Sequence, residues 1–275
     1  MKKVLDTNTA DAFASSWNNL PTGSVYTFEQ FEDWFAPLKQ TDIQSKSVLE
    51  LGCGNGSLLT HMTQWNPSTI TGVDLGDSVL SCKKNMNLTN FENFQVLQHD
   101  LTSFESDGYD LVYSIGVLHH LKKPKEGFDA LIKNTKNGGR FHGWVYAKEG
   151  NKLIIYTVEP IRKIASKLPW WLTKYFIATP LAIPFYGYGK LIKTIPFLKK
   201  IKTNLPLYDY MIWIGERGFS FFRHVAFDQL VTPQTTYLSK NEILAWLGSN
   251  HSINQESTYI IFRNGNSWKF GGKKV

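Results

Sequence analysis

The stretch at positions 47–57, SVLELGCGNGS, constrains the fold of this 275-residue chain more than any other. Residues 48–51 are apolar except for Glu50, as in a buried strand, and apolar residues recur at helical spacing from Leu58 onward. Three alternate glycines separate the two patterns. Glycine lets the backbone turn sharply and approach a ligand closely, and the helix that follows directs free N–H groups at it. The stretch therefore predicts a strand, a tight glycine turn and a helix around a bound cofactor.

The order of the glycines separates two classes of cofactor. The dinucleotide fingerprint G-x-G-x-x-G needs a third glycine at position 57, where this chain has Ser57. An acid, Glu50, is followed instead by Gly52, Gly54 and Gly56. This E-x-G-x-G-x-G pattern resembles motif I of the class I S-adenosylmethionine-dependent methyltransferases at every fixed position. The resemblance implies that Glu50 orients the loop or the methionine amino group of the cofactor; a buried cap for backbone amides is the alternative role.

Residues downstream repeat the pattern of the same family in the same order. The second strand, 70–74, ends in Asp74, near the distance after the glycine turn at which a ribose-binding carboxylate is expected. The resemblance implies that Asp74 accepts both ribose hydroxyls and that Asp100, after the third strand, contacts the adenine amino group. An acid after a short strand is also an ordinary helix cap, which is the alternative for Asp100. The complete predicted cofactor set is Glu50, Gly52, Cys53, Gly54, Gly56, Asp74, Leu75, Asp100, Leu101, Ser114 and Ile115.

The fourth strand, 109–114, continues into a segment that resembles the D-x-V-x-x-x-x-x-L-x-H stretch closing the methionine pocket of the family. This segment contains His119 and His120 at the carboxyl edge of the sheet, where ligands bind in open α/β folds. Either histidine is a candidate general base, with His119 the better placed to face substrate; a structural role is the alternative. Methyl transfer needs the nucleophile held in line with the methyl group, and a base only where the acceptor must lose a proton. No metal site is expected.

The resemblance implies a doubly wound α/β fold with a mostly parallel seven-stranded sheet and an antiparallel terminal hairpin, and the residues between its fifth strand and last helix predict an α-helical insertion. The predicted parts are an N-terminal helical cap (1–45), a cofactor-binding core (46–147), a basic aromatic insertion (148–236) and a C-terminal helix and hairpin completing the core (237–275). Thr27 to Gln30 has capping-box spacing, as does Ser239 to Glu242. Prolines at 160, 169, 180, 184, 196 and 206 are expected to divide the insertion into short helices and turns. The N-terminal aromatics either pack on the sheet or form a cofactor lid from Phe13, Trp17 and Tyr26.

The insertion carries the positive charge of the chain, whose net charge is +7. Between positions 148 and 223 there are 13 Lys or Arg against 4 Asp or Glu, and 15 of the 39 aromatic residues. Three interpretations are open: an aromatic substrate lid, a peripheral membrane contact, or a nucleic-acid face. Proline and apolar residues outweigh clustered arginine, which favours the lid and makes nucleic acid the least favoured. Segment 217–228 is expected to be an acceptor-site loop with Arg223, His224 and Asp228 binding substrate, or else an Arg–Asp pair that pins the insertion.

These features predict an S-adenosylmethionine-dependent methyltransferase that methylates an oxygen or nitrogen of a small-molecule or lipid-like acceptor. The alternatives are an RNA methyltransferase, disfavoured because no N-P-P-Y or D-P-P-Y tetrapeptide follows the fourth strand, and a catalytically silent cofactor-binding regulatory protein. Cys53 and Cys82 are expected to be reduced core or pocket residues, since their spacing fits no metal site. We expect a cytoplasmic protein, peripheral at the membrane if the insertion contacts lipid, and the oligomeric state stays open.

Overall fold

A computed structural model describes residues 23–275 and contains one seven-stranded sheet in the order β3-β2-β1-β4-β5-β7-β6. The strands are β1 (Ser47–Leu51), β2 (Thr69–Asp74), β3 (Phe94–Gln98), β4 (Tyr109–Ile115), β5 (Thr135–Tyr146), β6 (Ile253–Arg263) and β7 (Ser267–Lys274). Strands β1 to β5 pair in parallel. A tight turn at Asn264 and Gly265, both with positive φ, joins β6 to its neighbour β7, so this hairpin is antiparallel. The predicted fold class is confirmed.

Helices connect the strands and make up the insertion. They are α1 (Phe28–Phe35), α2 (Gln40–Ile43), α3 (Ser57–Met62), α4 (Ser78–Met86), α5 (Pro124–Lys133), α6 (Lys152–Ala165), α7 (Trp170–Leu172), α8 (Thr179–Thr194), α9 (Pro196–Lys200), α10 (Tyr208–Gly215), α11 (Gly218–Val231) and α12 (Lys240–Gly248). A π-helical segment, Thr173–Ala178, joins α7 to α8, and 3-10 turns occur at Thr63–Trp65, Leu118–His120 and Lys202–Asn204. The insertion is helical, as predicted, but Pro160 and Pro184 lie inside α6 and α8 and do not divide these helices into shorter pieces.

Strand β5 is longer than the sequence indicated. The sequence pattern predicts a helix over about 125–136, a turn at Asn137-Gly138-Gly139 and a strand over 140–146, whereas α5 ends at Lys133 and β5 begins at Thr135. Tyr109 of β4 pairs with Thr135, but Leu111 pairs with Arg140, so β5 holds extra residues at this point. Gly138 in the irregular stretch has a φ of 75°, which glycine adopts without strain. The Asn-Gly-Gly sequence therefore forms a bulge inside the strand instead of a turn before it.

Helix α1 covers the sheet with aromatic side chains. Its predicted capping box is present: Thr27 Oγ1 accepts from the Gln30 amide and Gln30 Oε1 accepts from the Thr27 amide. Phe35 is fully buried, with its ring centroid 4.7 Å from that of Tyr113. These contacts agree with the packing role for this helix. Of the residues proposed as a cofactor lid, Phe13 and Trp17 lie outside the described residues.

The chain forms two compact units. The first extends to Val145 and includes Lys240–Ile261 and Lys269–Val275; the second comprises Tyr146–Ser239 and Phe262–Trp268. The tip of the terminal hairpin thus belongs to the second unit, whereas we predicted that all residues from 237 onward complete the core. Polar contacts within that unit give the reason, because Asn151 Nδ2 donates to the Asn266 carbonyl at 2.6 Å and Trp268 Nε1 donates to Glu149 at 3.0 Å.

Candidate active site

The glycine turn between β1 and α3 has the backbone conformation that its sequence demands. Gly52, Gly54 and Gly56 have φ angles of 86°, 51° and 78°, which residues with a Cβ adopt only with strain. Space is also limiting, since a Cβ on Gly52 would lie 2.5 Å from Val117 and one on Gly56 would lie 2.6 Å from the sulfur of Cys82. The turn is therefore held by packing as well as by torsion angles, and its shape depends on glycine at both positions.

Asp74 ties the glycine turn to the end of β2. One carboxylate oxygen accepts from the Gly54 amide at 2.9 Å, and the other accepts from the Gly76 amide at 2.9 Å and the Ser78 hydroxyl at 3.1 Å. Burial raises the pKa of Asp74, and these hydrogen bonds oppose that effect. The Leu75 amide also interacts with this carboxylate, so backbone and side-chain donors surround Asp74 at the end of β2. This arrangement suits a residue that both shapes the loop and accepts ribose hydroxyls, and the ribose contact stays a prediction.

Glu50 lies in a dry part of the first unit directly before the turn. Its side chain is 2% exposed, and the Tyr113 hydroxyl donates to Oε2 at 3.0 Å. Burial raises the pKa of Glu50 to about 8, against the opposing effect of the Tyr113 hydrogen bond and with a contribution from the negative charge of Asp74. Glu50 therefore holds a proton near neutral pH until a nearby positive charge offsets the cost of ionising it.

A side-chain network on the helix side of the turn was missed by the sequence reasoning. Asn55 Oδ1 accepts from both the amide and the hydroxyl of Ser57, and its carbonyl accepts from Asn85 Nδ2 at 2.9 Å. The Ser57 hydroxyl accepts from the Val25 amide, and Asn85 Oδ1 accepts from the Gly23 amide at 2.8 Å. Residues 23–25 thus contact the start of α3 and the end of α4. Ser57, noticed only because it is not glycine, is a structural link between the turn and the N-terminal segment.

The other predicted cofactor residues occupy the carboxyl ends of β2, β3 and β4. Asp100 Oδ1 accepts from the amide and hydroxyl of Thr102, at 2.9 and 2.8 Å, so this acid caps its own turn in the structure. The Ser114 hydroxyl donates to the Leu51 carbonyl at 2.7 Å and is fully buried. Among the remaining members, Leu75 and Ile115 are partly exposed, whereas Cys53 and Leu101 are buried. The predicted cysteine state holds, as Cys53 and Cys82 are both free and buried.

The two candidate bases are buried. His119 has no exposed surface and His120 is 8% exposed, with their ring centroids 4.1 Å apart. The Trp144 ring packs edge-on to His119 at 5.9 Å. A general base must come within hydrogen-bonding distance of the proton it removes, so His119 would have to move before it could act. The expectation that His119 faces substrate is not met by this arrangement, which instead matches a packing role.

The expected acceptor-site loop is a helix. Residues 218–231 form α11, whose first residue, Gly218, has a φ of 84°. The helix buries the side chains of Phe222 and Phe227. The segment contains no proline, which would have broken the helix. His224 Nε2 lies 3.2 Å from an oxygen of Asp228, one turn away on the same helix. Asp228 therefore pairs with His224 within α11.

A mostly apolar pocket lies inside the second unit, and sequence reasoning did not find it. Helices α6, α8, α10 and α11 surround a cavity of about 40 Å³, which opens into about 420 Å³ when the solvent space at its mouth is included. The lining residues are Ile154, Val158, Leu181, Ala182, Phe185, Tyr210, Met211, Ile214, Phe222, Val225, Ala226 and Gln229. Arg223, His224 and Asp228 do not line it, although they belong to the same helix as four residues that do. The three predicted substrate residues therefore lie on a helix that lines the pocket but are not part of its lining.

Polar groups lie at one side of this pocket. Burial raises the pKa of Tyr146 to about 12 and raises that of Tyr210, while side-chain hydrogen bonds from Gln229 oppose both effects. The ring of Tyr146 stacks on Tyr237, whose hydroxyl accepts from Arg162 Nη2 at 3.1 Å. Gln229 and Tyr210 line the pocket and therefore give it a neutral hydrogen-bonding side within an apolar wall.

Comparison with known proteins identifies the class to which this arrangement belongs. A family model described as "Methyltransferase domain" matches residues 25–173, which is more than half of the chain. The chain therefore belongs to the methyltransferase domain family, that is, to the class I S-adenosylmethionine-dependent methyltransferases with a Rossmann-like fold. The resemblance inferred from the glycine turn is confirmed, and S-adenosylmethionine is the cofactor of this class.

The curated relatives have several different acceptors in their names. A tRNA U34 carboxymethyltransferase of Nautilia profundicola is 26% identical and aligns over 71% of this chain and 63% of its own length. Pavine N-methyltransferase of Thalictrum flavum subsp. glaucum is 26% identical over 47% of this chain and 35% of its own. A ubiquinone biosynthesis O-methyltransferase of Pseudomonas fluorescens is 29% identical over 37% of this chain and 45% of its own. The chain spans less than two thirds of each of these relatives.

Solved structures match the fold over nearly the whole chain. N-methyltransferase NodS from Bradyrhizobium japonicum WM9 has a TM-score of 0.51 at 10% identity, covering 97% of this chain and 98% of that one. Magnesium protoporphyrin IX methyltransferase from Synechocystis PCC 6803 has a TM-score of 0.50 at 14% identity, covering 100% and 90%. At such low identity, these similarities establish the shared fold alone.

The residues at the turn fit S-adenosylmethionine chemically. The cofactor carries positive charge on its sulfonium and amino groups, and two acids, Glu50 and Asp74, stand at the ends of adjacent strands. The absence of Cβ atoms at Gly52 and Gly56 lets the turn pack against Val117 and Cys82, which fixes the shape of the backbone that would face the cofactor. Helix α3 begins directly after the turn and directs its first amides toward it. Glu50, the three glycines and Asp74 are therefore the residues that would hold the cofactor.

Proposed function

We propose that this protein transfers a methyl group from S-adenosylmethionine to an oxygen or nitrogen atom of a small, largely apolar acceptor. The observation that supports this acceptor class is the pocket of the second unit, whose lining is apolar except at Tyr210 and Gln229. Sites for small molecules are typically concave and apolar, with a few polar groups that fix orientation. A lipid-like acceptor of this kind partitions into membranes, so we expect the reaction to take place at a membrane surface. A cytoplasmic location stays a prediction.

When bound, the cofactor supplies a methyl group on a sulfonium sulfur. The glycine turn and Asp74 would fix its ribose, and Glu50, in its ionised form, would face the cationic amino group. The hydrogen-bonding side formed by Gln229 and Tyr210 would orient one polar atom of the acceptor. Holding the two reactants in line is the main contribution required of the protein, because the reaction needs no covalent intermediate. The predicted bases, His119 and His120, are not needed for an acceptor nitrogen that is already unprotonated.

A pocket variant tests this proposal. Phe222 lines the pocket and is 5% exposed, and Ala226 lies one turn further along the same helix. Ala226→Trp would fill the pocket while leaving the cofactor turn untouched. We expect methylation of lipid-extract components to fall by at least about tenfold, as expected for steric exclusion of an acceptor, while binding of S-adenosylhomocysteine is unchanged. Ser220→Trp, on an exposed position of α11, is the matched control and should retain activity.

Transfer to RNA is the second candidate function. The relative named as a tRNA carboxymethyltransferase aligns over most of this chain, and the insertion is basic. Incubating the protein with labelled cofactor and, separately, with lipid extract and total RNA distinguishes the candidates. Label in the lipid fraction supports our proposal, whereas label in RNA alone refutes it. Cofactor binding without labelling of either fraction would support the regulatory alternative instead.

A further inference from the structure

The surface formed by α7, the π-helical segment, α8 and α9, residues 170–200, exposes an unusual number of large apolar side chains. Among the described residues, sixteen such side chains are strongly exposed, and eight of them lie on this surface. They are Trp170, Trp171, Tyr175, Phe176, Ile183, Leu191, Ile195 and Phe197. Scattered exposed apolar residues need no explanation, but a concentration in one part of a chain indicates an interaction surface.

The same part of the chain is positively charged. From position 160 to 208 there are nine Lys or Arg and no Asp or Glu. Lys190, Lys199 and Lys200 are exposed. Lys174 Nζ lies 5.8 Å from the ring centroid of Trp170, so that charge and aromatic surface are adjacent. A surface of this composition complements an anionic lipid bilayer, whose headgroups attract lysine and whose interface accommodates tryptophan and tyrosine.

The geometry of α8 agrees with docking at the bilayer surface and not with insertion across it. Within the described part of the chain, no helix is long and apolar enough to span a membrane. On one side α8 lines the pocket through Leu181, Ala182 and Phe185, while Ile183 is 59% exposed to solvent. Trp171 and Phe176 are in edge-to-face contact at 6.3 Å and are 47% and 68% exposed. The helix segment thus separates the apolar pocket from the apolar outer surface.

We propose that residues 170–200 form a docking surface for an anionic lipid bilayer, with the exposed aromatic side chains in the interface and the lysines on lipid phosphates. Docking follows from this surface alone and is independent of the methylation reaction. If the proposed acceptor class is also correct, α8 stands between the bilayer and the pocket, and the acceptor would enter alongside this helix. That second statement rests on the proposed function.

Vesicle flotation with the full chain tests docking without cofactor or acceptor. The probes are vesicles of phosphatidylcholine alone and vesicles that also contain phosphatidylglycerol. We expect retention on the anionic vesicles at low salt and at least partial release at high salt, because salt screens the lysine contribution. Lys199→Ala with Lys200→Ala should weaken binding about 30-fold, since each surface lysine contributes roughly 1 kcal/mol.

Apolar variants and a matched control complete the experiment. Trp171→Ser with Phe176→Ser should reduce vesicle binding at least about tenfold at every salt concentration. Leu80→Ser with Leu88→Ser removes two side chains of similar exposure, 67% and 65%, from the first unit and should have no effect. An unchanged affinity for S-adenosylhomocysteine would show that each variant folds. Equal binding of both vesicle types, no binding, wild-type binding by both docking variants, or tighter binding to single-stranded RNA would each overturn the proposal.

Discussion

Glu50 provides the most direct test of the physical description of the cofactor site. The change Glu50→Gln keeps a carbonyl oxygen that accepts the Tyr113 hydroxyl and removes the group that titrates. In the unfolded chain this glutamate has a pKa of about 4.5, whereas burial raises the pKa to about 8 in the folded protein. Between these two pH values the folded state holds a proton that the unfolded state lacks.

The sign and size of the effect follow from this difference. Because the folded state binds more protons, the free energy of unfolding of the wild type falls by about 1.4 kcal/mol for each pH unit between about 4.5 and 8. The contribution of protonated Glu50 is complete below pH 4.5 and is lost as pH rises through the folded pKa. The total change is on the order of 5 kcal/mol, of which about 3 kcal/mol is lost by pH 7. Glu50→Gln should not show this dependence.

The assay is urea unfolding of both proteins, without cofactor, across this pH range. Near pH 4.5 the two unfolding free energies should agree, and at pH 7 the variant should be more stable by about 3 kcal/mol. Taking the difference between the two proteins removes the contribution of other titrating groups. Tyr113→Phe is the matched control: it removes the hydrogen bond that lowers the pKa of Glu50, so the loss of stability should extend to higher pH. A difference between wild type and Glu50→Gln that does not change with pH would refute the reasoning.

Four further outcomes are expected. In calorimetry near pH 7, binding of S-adenosylmethionine should release about one proton in the wild type and none in Glu50→Gln, since a positive charge stabilises the carboxylate; equal release would exclude Glu50 as its source. Asp74→Ala should weaken cofactor binding by about 2–4 kcal/mol, and an unchanged affinity would remove the ribose assignment. Gly52→Ala should also lose cofactor binding, because the new Cβ would lie 2.5 Å from Val117 and the backbone φ is 86°. Gly138→Ala is the control: its φ of 75° is also strained for alanine, but no atom lies within 4 Å of the new Cβ, and this variant should bind the cofactor normally. His119→Phe, which keeps a ring beside Trp144, should retain most activity, and a loss of activity with unchanged cofactor affinity would restore His119 as a base.

The sequence was sufficient for the cofactor-binding half of the molecule. Glycine at three alternate positions predicts positive φ angles, which other residues adopt only with strain, and the structure has a positive φ at all three positions. Glu50 and Asp74, at the ends of β1 and β2, lie at the same edge of the sheet because the two strands are parallel neighbours. Capping boxes and strand periodicity likewise act over a few residues. Local rules therefore placed the strands within a residue or two except at β5, and the resemblance to a known family supplied the seven-stranded fold class.

The insertion could not be predicted in the same way. Its pocket is lined by side chains from four helices, and no local pattern states which apolar residues face a shared cavity and which face solvent. Sequence reasoning selected Arg223, His224 and Asp228 because they are polar, whereas the pocket uses their neighbours Phe222 and Ala226. The bulge in β5 and the burial of His119 have the same origin, since partners distant in sequence decide both.

What the sequence alone determined is the identity of the cofactor class, because glycine torsion and strand-end carboxylates are properties of single positions and their near neighbours. What only the tertiary structure decided is the protonation of Glu50, the assignment of the hairpin tip to the second unit and the walls of the apolar pocket. Each of these depends on desolvation or packing by residues far apart in the chain, as with Glu50 and Tyr113, which are separated by 63 positions.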